Sequence, residues 1–343
     1  MHTITPEQLA RLTQKHKEKI LRGIYTQIGI NPDFAKGQKM AKTMRQIGGR
    51  KRKKVKVKNR AGTPRKGKKK KKRRKVLPQK EPSGKGFLGR SPLGDILYGP
   101  SGVGKSSLLA NWSRVGFIID PQEEGIKDLV EFNQVPEPVF IIEVGTYAEL
   151  MEVTADVAAG TYDVDTIVYD SLTGFEKICF IHHCHEFFDD DWSKKGFYNY
   201  SQGPKNAAKT DWPTWLDGLQ AIRRLAGINV WLIAHSTIKT YSNPDGPDYD
   251  RYHVYLDKEI WSVTKRWARS IFFYNYGFEV TKEKGETKKK ADTETEPSRL
   301  LYTQWSPAFD AKNHYGLDPI IDMGSDGEEA YKAFRKAYKA AGR

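Results

Sequence analysis

Eight residues constrain this chain more than any others. Gly99-Pro100-Ser101-Gly102-Val103-Gly104-Lys105-Ser106 fit the pattern G-x-x-x-x-G-K-[ST] in full. The pattern carries chemistry only between a strand and a helix. Here the apolar run Leu93 to Tyr98 precedes it and the helix-forming Ser107-Leu108-Leu109-Ala110 follows it. Glycines let the backbone wrap closely enough for its N–H groups to point inward at a phosphate, and the helix adds the positive end of its dipole. Lys105 then offers a point charge to the β and γ phosphates, and Ser106 a hydroxyl ligand to Mg²⁺. The implied ligand set is ATP or another nucleoside triphosphate with Mg²⁺, cradled by residues 99 to 107, with Ser107 the last of them.

A loop of this kind also dictates its surroundings. Val115 to Ile119, Val139 to Val144, Thr166 to Tyr169 and Asn229 to Ala234 are short apolar runs of the type buried on both faces of a parallel sheet. Ser106 to Ser113, Tyr147 to Ala159 and Trp212 to Leu225 read as helices between them. Strands alternating with helices predict a doubly wound α/β fold, a mostly parallel twisted sheet with helices on both faces.

Three further positions follow from that geometry, because ligands of open α/β sheets sit at the carboxyl ends of the strands. Asp170 ends the run Asp165 to Asp170, where a carboxylate supports Mg²⁺. Asp120-Pro121-Gln122-Glu123-Glu124-Gly125 follows another strand and supplies two candidates to orient or deprotonate water, Glu124 first and then Glu123. His235 ends the strand from Ile228 and is placed to sense the γ phosphate.

Charge is divided along the chain. Of 343 residues, 58 are Lys or Arg and 42 Asp or Glu, yet residues 1 to 90 alone hold 30 of the basic and 4 of the acidic ones. Residues 51 to 75 contain 17 Lys or Arg and almost nothing to bury, which predicts a disordered arm suited to polyanions. Thr5-Pro6-Glu7-Gln8 is a helix start followed by spaced apolar residues, so a short helix is expected near the N-terminus. The expected organisation is a helix in 1–30, a basic arm in 31–90, a phosphate-loop domain in 91–325 and a C-terminal helix in 326–343. Two cysteines, Cys179 and Cys184, are too few and too widely spaced for a disulfide framework or a redox pair. No long apolar run or secretory pattern is present, and the expectation is a cytoplasmic protein, bacterial or of a phage-infected host, that does not engage membranes. His182-His183-Cys184-His185-Glu186 resembles a metal cluster by composition, but adjacent ligands on a helix diverge and no second pair stands at zinc spacing. Helix packing is the expected role.

Taken together, these residues resemble the RecA-like phosphate-loop NTPases, and more narrowly the phage-type AAA/RecA-like ATP-binding proteins related to single-strand-annealing recombinases. The similarity runs from about Pro92 to Gly324. It rests on Leu97 to Ser106, Asp170-Ser171-Leu172-Thr173, Leu232-Ile233-Ala234-His235 and the late segment Ser306 to Leu317. The resemblance implies ATP hydrolysis with Mg²⁺ held by Ser106 and Asp170, a water-activating Glu123 or Glu124, and γ-phosphate sensing by His235. It further implies a ring or filament of identical subunits in which Lys312 reaches a neighbour's nucleotide. DNA, single-stranded by preference, would be contacted by the segments 187–209 and 236–255. The first mixes Lys194 and Lys195 with Trp192, Tyr198 and Tyr200, a composition that can stack bases and neutralise phosphates, although Asp189 to Asp191 oppose it.

Two other functions compete with a DNA-linked ATPase. A phosphate-loop kinase would transfer the γ phosphate to a small acceptor, so a screen of acceptors separates it. A nucleotide-gated scaffold would bind ATP tightly without releasing phosphate.

Overall fold

All six residues of the strand leading into the phosphate loop, β1 (Gly94–Gly99), are buried, which requires a neighbour on each edge and a layer on each face. The chain continues through α1 (Lys105–Ala110), β2 (Val115–Ile119), α2 (Gly125–Glu131), β3 (Phe140–Glu143), α3 (Tyr147–Ala158), β4 (Thr166–Asp170) and α4 (Leu172–Phe188). After these come α5 (Gln202–Ala207), α6 (Asp211–Ala221), β5 (Asn229–Tyr241), β6 (Tyr249–Val254), α7 (Lys258–Trp267) and β7 (Ser270–Tyr276). The hairpin β8 (Glu279–Glu283) and β9 (Glu286–Lys290), then β10 (Arg299–Tyr302), β11 (Ile320–Asp322) and α8 (Gly327–Ala341) complete the fold. These elements belong to a computed structural model that describes residues 89–277, 279–283, 286–290 and 298–342. The expected N-terminal helix and all but the last two residues of the basic arm lie outside the described residues.

The main sheet runs β11-β10-β7-β1-β5-β4-β2-β3, with β6 paired to β5. From β7 to β3 every neighbouring pair is parallel, while β10 and β11 close one side antiparallel. Parallel strands carry apolar residues on both faces, and the register divides them cleanly. Leu97, Phe117, Val168, Trp231 and Phe272 join one core with α1 and α8. Their sequence neighbours point the other way, where Tyr169 meets Phe175 of α4 and Trp215 of α6 edge-on. Helices therefore cover both faces, as a doubly wound α/β fold requires.

The strands β1 to β4 coincide with the expected runs to within a residue. β5 does not, for it continues seven residues past Ala234 and pairs antiparallel with β6 from Ser236↔Val254 to Tyr241↔Tyr249. Beyond the sheet edge its residues turn polar but remain β-branched or aromatic (Thr237, Ile238, Thr240, Tyr241), and Asn243-Pro244-Asp245-Gly246 supplies the turn. A hairpin thus forms most of 236–255, one of the two segments expected to contact DNA.

The late segment ties this hairpin to the sheet. Asp310 pairs with Arg251 of β6 at 2.6 Å and Lys265 of α7 at 3.1 Å, and its carbonyl accepts from the Tyr98 hydroxyl at 2.6 Å. Phe309 stacks on Phe273 of β7 at 4.8 Å. Among the described residues no helix is long and apolar enough to cross a membrane.

Candidate active site

Register brings the expected site residues to one edge of the sheet. Gly99 lies opposite His235, and Ile119 lies opposite Asp170, so the ends of β1, β5, β4 and β2 are adjacent where strand carboxyl ends bind ligands. Gly104 closes the loop at φ 95°, a left-handed conformation that glycine adopts without a side-chain clash. Val103 is fully buried in the core and anchors the loop, whereas Ser101 and Gly102 are exposed.

Lys105 lies folded under this loop, its Nζ donating to the carbonyls of Gly99 at 3.1 Å and Pro100 at 2.7 Å. Burial lowers its pKa to about 8, opposed by the nearby Asp170 and Glu123 carboxylates. Ser106 Oγ donates to Asp170 Oδ2 at 2.7 Å. Burial raises the Asp170 pKa to about 6 against that hydrogen bond. A hydroxyl and a carboxylate in contact are hard oxygen donors, and this pair fits Mg²⁺.

The two acids after β2 separate sharply. Glu123 Oε1 accepts from Ser171 Oγ at 3.0 Å and from His235 Nε2 at 2.6 Å, and the His235 hydrogen bond is the chief cause of its lowered pKa. Glu124 is exposed and occupies the N-cap position of α2, where its side chain caps nothing. The structure thus separates the two candidates, because the turn aims Glu123 at β4 and β5 and Glu124 at solvent. His235 spans the site: Nδ1 lies 3.1 Å from Ser101 Oγ on the phosphate loop. With Nε2–H given to Glu123, a neutral ring leaves Nδ1 to accept from Ser101.

Sequence reasoning passed over Asp120. Its buried carboxylate accepts from Ser171 N at 3.2 Å and Gln122 N at 2.9 Å, fixing the turn that carries Glu123 and the backbone after Asp170. Gly174 permits this, since a Cβ there would collide with that carboxylate. The signal was an acid ending an apolar strand, the same one that singled out Asp170.

At Lys312 the structure departs from expectation. Lys312 is no outward-reaching cation: its Nζ donates to Ala268 O at 2.5 Å, just past the end of α7, and its backbone bridges Ile271 near the start of β7. Carbonyls at a helix end attract cations. Lys194, Lys195, Tyr198 and Tyr200 are exposed on a segment that doubles back along α4, pinned by the buried Phe197 against Phe180 and Phe188 at 5.4 Å. The histidines 182, 183 and 185 diverge, His182 stacking on Tyr147, His183 meeting Asp211 and His185 meeting Asp190.

A family model described as an AAA domain matches residues 94–315, which spans the whole of this site. The chain belongs to that AAA domain family. It is accordingly a phosphate-loop ATP-binding protein and ATPase. No curated protein matches the chain. Among solved structures, this AAA domain is similar to the flagellar accessory protein FlaH from Methanocaldococcus jannaschii, with a TM-score of 0.35 and 13% identity over 69% of this chain and 88% of that one. It is also similar to the RadB recombinase, with a TM-score of 0.36 and 13% identity over 70% of this chain and 93% of that one.

Proposed function

We propose that this AAA protein is a Mg²⁺-dependent ATPase that acts on DNA, single-stranded by preference, in recombination or strand annealing, as a ring or filament of identical subunits. The observation that carries the ATPase half is the chain of contacts from Ser101 through His235 to Glu123, beside the Ser106–Asp170 pair. In this reading Ser106 and Asp170 hold the cation, which when bound shields phosphate charge. Lys105 releases the Gly99 and Pro100 carbonyls and turns its ammonium to the β and γ phosphates. Glu123 accepts the proton of the attacking water. His235 holds Glu123 as a weak base while no γ phosphate is present; when the phosphate draws on Ser101 and His235, that hydrogen bond opens and Glu123 becomes more basic.

The DNA half is supported by the charge of residues 1 to 90 and by the exposed Lys194, Lys195, Trp192, Tyr198 and Tyr200. Exposed aromatic faces beside lysines serve single strands because every base can stack. Phosphate release from ATP, measured with and without single-stranded DNA, tests both halves. Turnover should rise with DNA and vanish in Lys105→Ala. Turnover indifferent to DNA at low salt removes the DNA half, and phosphate release that survives Lys105→Ala removes the assignment of the site.

A further inference from the structure

The phosphate loop has two flanks, and the groups discussed so far occupy only one. Asp170, Glu123 and His235 all lie on the β5-β4-β2 side of β1. On the other side, β7 and β10 contribute Tyr274 and Arg299 to a cavity of about 170 Å³ that opens against the loop and is also lined by Gly104, Ser107, Gln134 and Asp326, among others. A triphosphate laid across the loop with its γ end at Glu123 must direct its α phosphate toward this flank. The cavity stands where the rest of the nucleotide would continue.

Arg299 gives the cavity its chemistry. Its guanidinium lies against Gly104, so that a Cβ on that glycine would come within 3.3 Å of Nε. It is also 5.7 Å from the centre of the Tyr276 ring, and the Tyr276 hydroxyl donates to Gly102 O at 3.1 Å. Arg299 Nε is buried and has no hydrogen-bond partner. A buried donor left unsatisfied is destabilising, and a ligand acceptor would remove that cost. Across the cavity, Asp326 uses Oδ1 to accept from Glu329 N at 2.8 Å. An acid in the lining disfavours another phosphate there and favours a group that presents both donors and acceptors, as a sugar and a nucleobase do.

We propose that this cavity receives the nucleoside end of the bound nucleotide, with Arg299 as a specificity-determining donor to it. The inference rests on the reading of residues 99 to 107 as a triphosphate site, and it adds which flank reads the nucleoside and through which residue.

The test is calorimetric titration of the full chain, with Mg²⁺, against ATP and against inorganic tripolyphosphate, which has the phosphates but no nucleoside. Only the binding heat that Lys105→Ala removes is counted. Arg299→Ala should weaken ATP about tenfold or more and leave tripolyphosphate unchanged. Ser325→Trp, which adds bulk at another residue of the same lining, should do likewise and carries the test if Arg299→Ala fails to fold. If ATP and tripolyphosphate weaken in parallel, Arg299 serves the phosphates and the inference is overturned. If neither variant changes the affinity for ATP, it is overturned as well. Should the unaltered chain bind neither ligand, the triphosphate reading itself falls and takes this inference with it.

Discussion

At the scale of single residues, chemistry is decided by where a turn aims a side chain. Glu123 and Glu124 are adjacent and alike, yet only Glu123 reaches Ser171 and His235. Glu123→Gln should therefore lower the rate of ATP hydrolysis by about 10²–10⁴-fold with ATP affinity retained, while Glu124→Gln stays within about twofold of the unaltered rate. Steady-state turnover and titration on both variants check this. Asp95 is a second residue whose surroundings set its behaviour. It is fully buried, accepting from Ser270 N at 3.1 Å and from the Tyr315 hydroxyl at 2.7 Å, with Oδ2 unpartnered. Burial lifts its carboxyl from 3.8 to about 7, opposed by the Tyr315 hydrogen bond and by Arg223 and Arg269. A folded-state pKa raised this way gives stability that is full below about pH 4 and lost as pH rises through about 7, because the buried acid must then ionise. Urea midpoints should accordingly fall for this group between about pH 4 and pH 7, and Asp95→Asn should flatten that part of the slope. An equal slope in the variant would contradict the assignment.

At the scale of elements, helix α8 shows how an amphipathic segment becomes part of a core. Ala330, Phe334 and Tyr338 recur at helical spacing and are all buried, with Phe334 within 5.9 Å of Trp112 and 5.6 Å of Trp231 between ring centres. Asp326 starts the helix by accepting from Glu329 N. Phe334→Ala should cost about 3–5 kcal/mol of unfolding free energy, read by denaturant unfolding, because the facing rings cannot collapse into the gap. The β5–β6 hairpin teaches the opposite lesson about legibility. Its apolar run ends at Ala234, so hydrophobic patterning stops at the sheet edge, and what carries the strand to Tyr241 is pairing with β6 and the Arg251–Asp310 contact from far along the chain. Lys312 was misread for a related reason: sequence shows a cation late in the chain but not the α7 end that binds it.

At the scale of the molecule, charge and core are separate. The described fold carries the ATP site, while the excess of Lys and Arg lies in residues 1 to 90. Removing residues 1 to 88 should weaken binding to single-stranded DNA and reduce its dependence on salt, since fewer counterions are released, with DNA-free turnover unchanged. Affinity measured at several salt concentrations for both chains checks it, and identical slopes would deny the arm its role. The sequence alone determined the phosphate loop, the parallel α/β architecture and the acid at the end of β4, because each depends on local order: a strand, a turn of glycines, a helix. Only the tertiary structure decided that Glu123 rather than Glu124 meets His235, that Asp120 braces the turn and that Arg299 lies against Gly104. Those contacts join residues 48 to 195 positions apart, and their distances are set by sheet order and register, which no local pattern encodes.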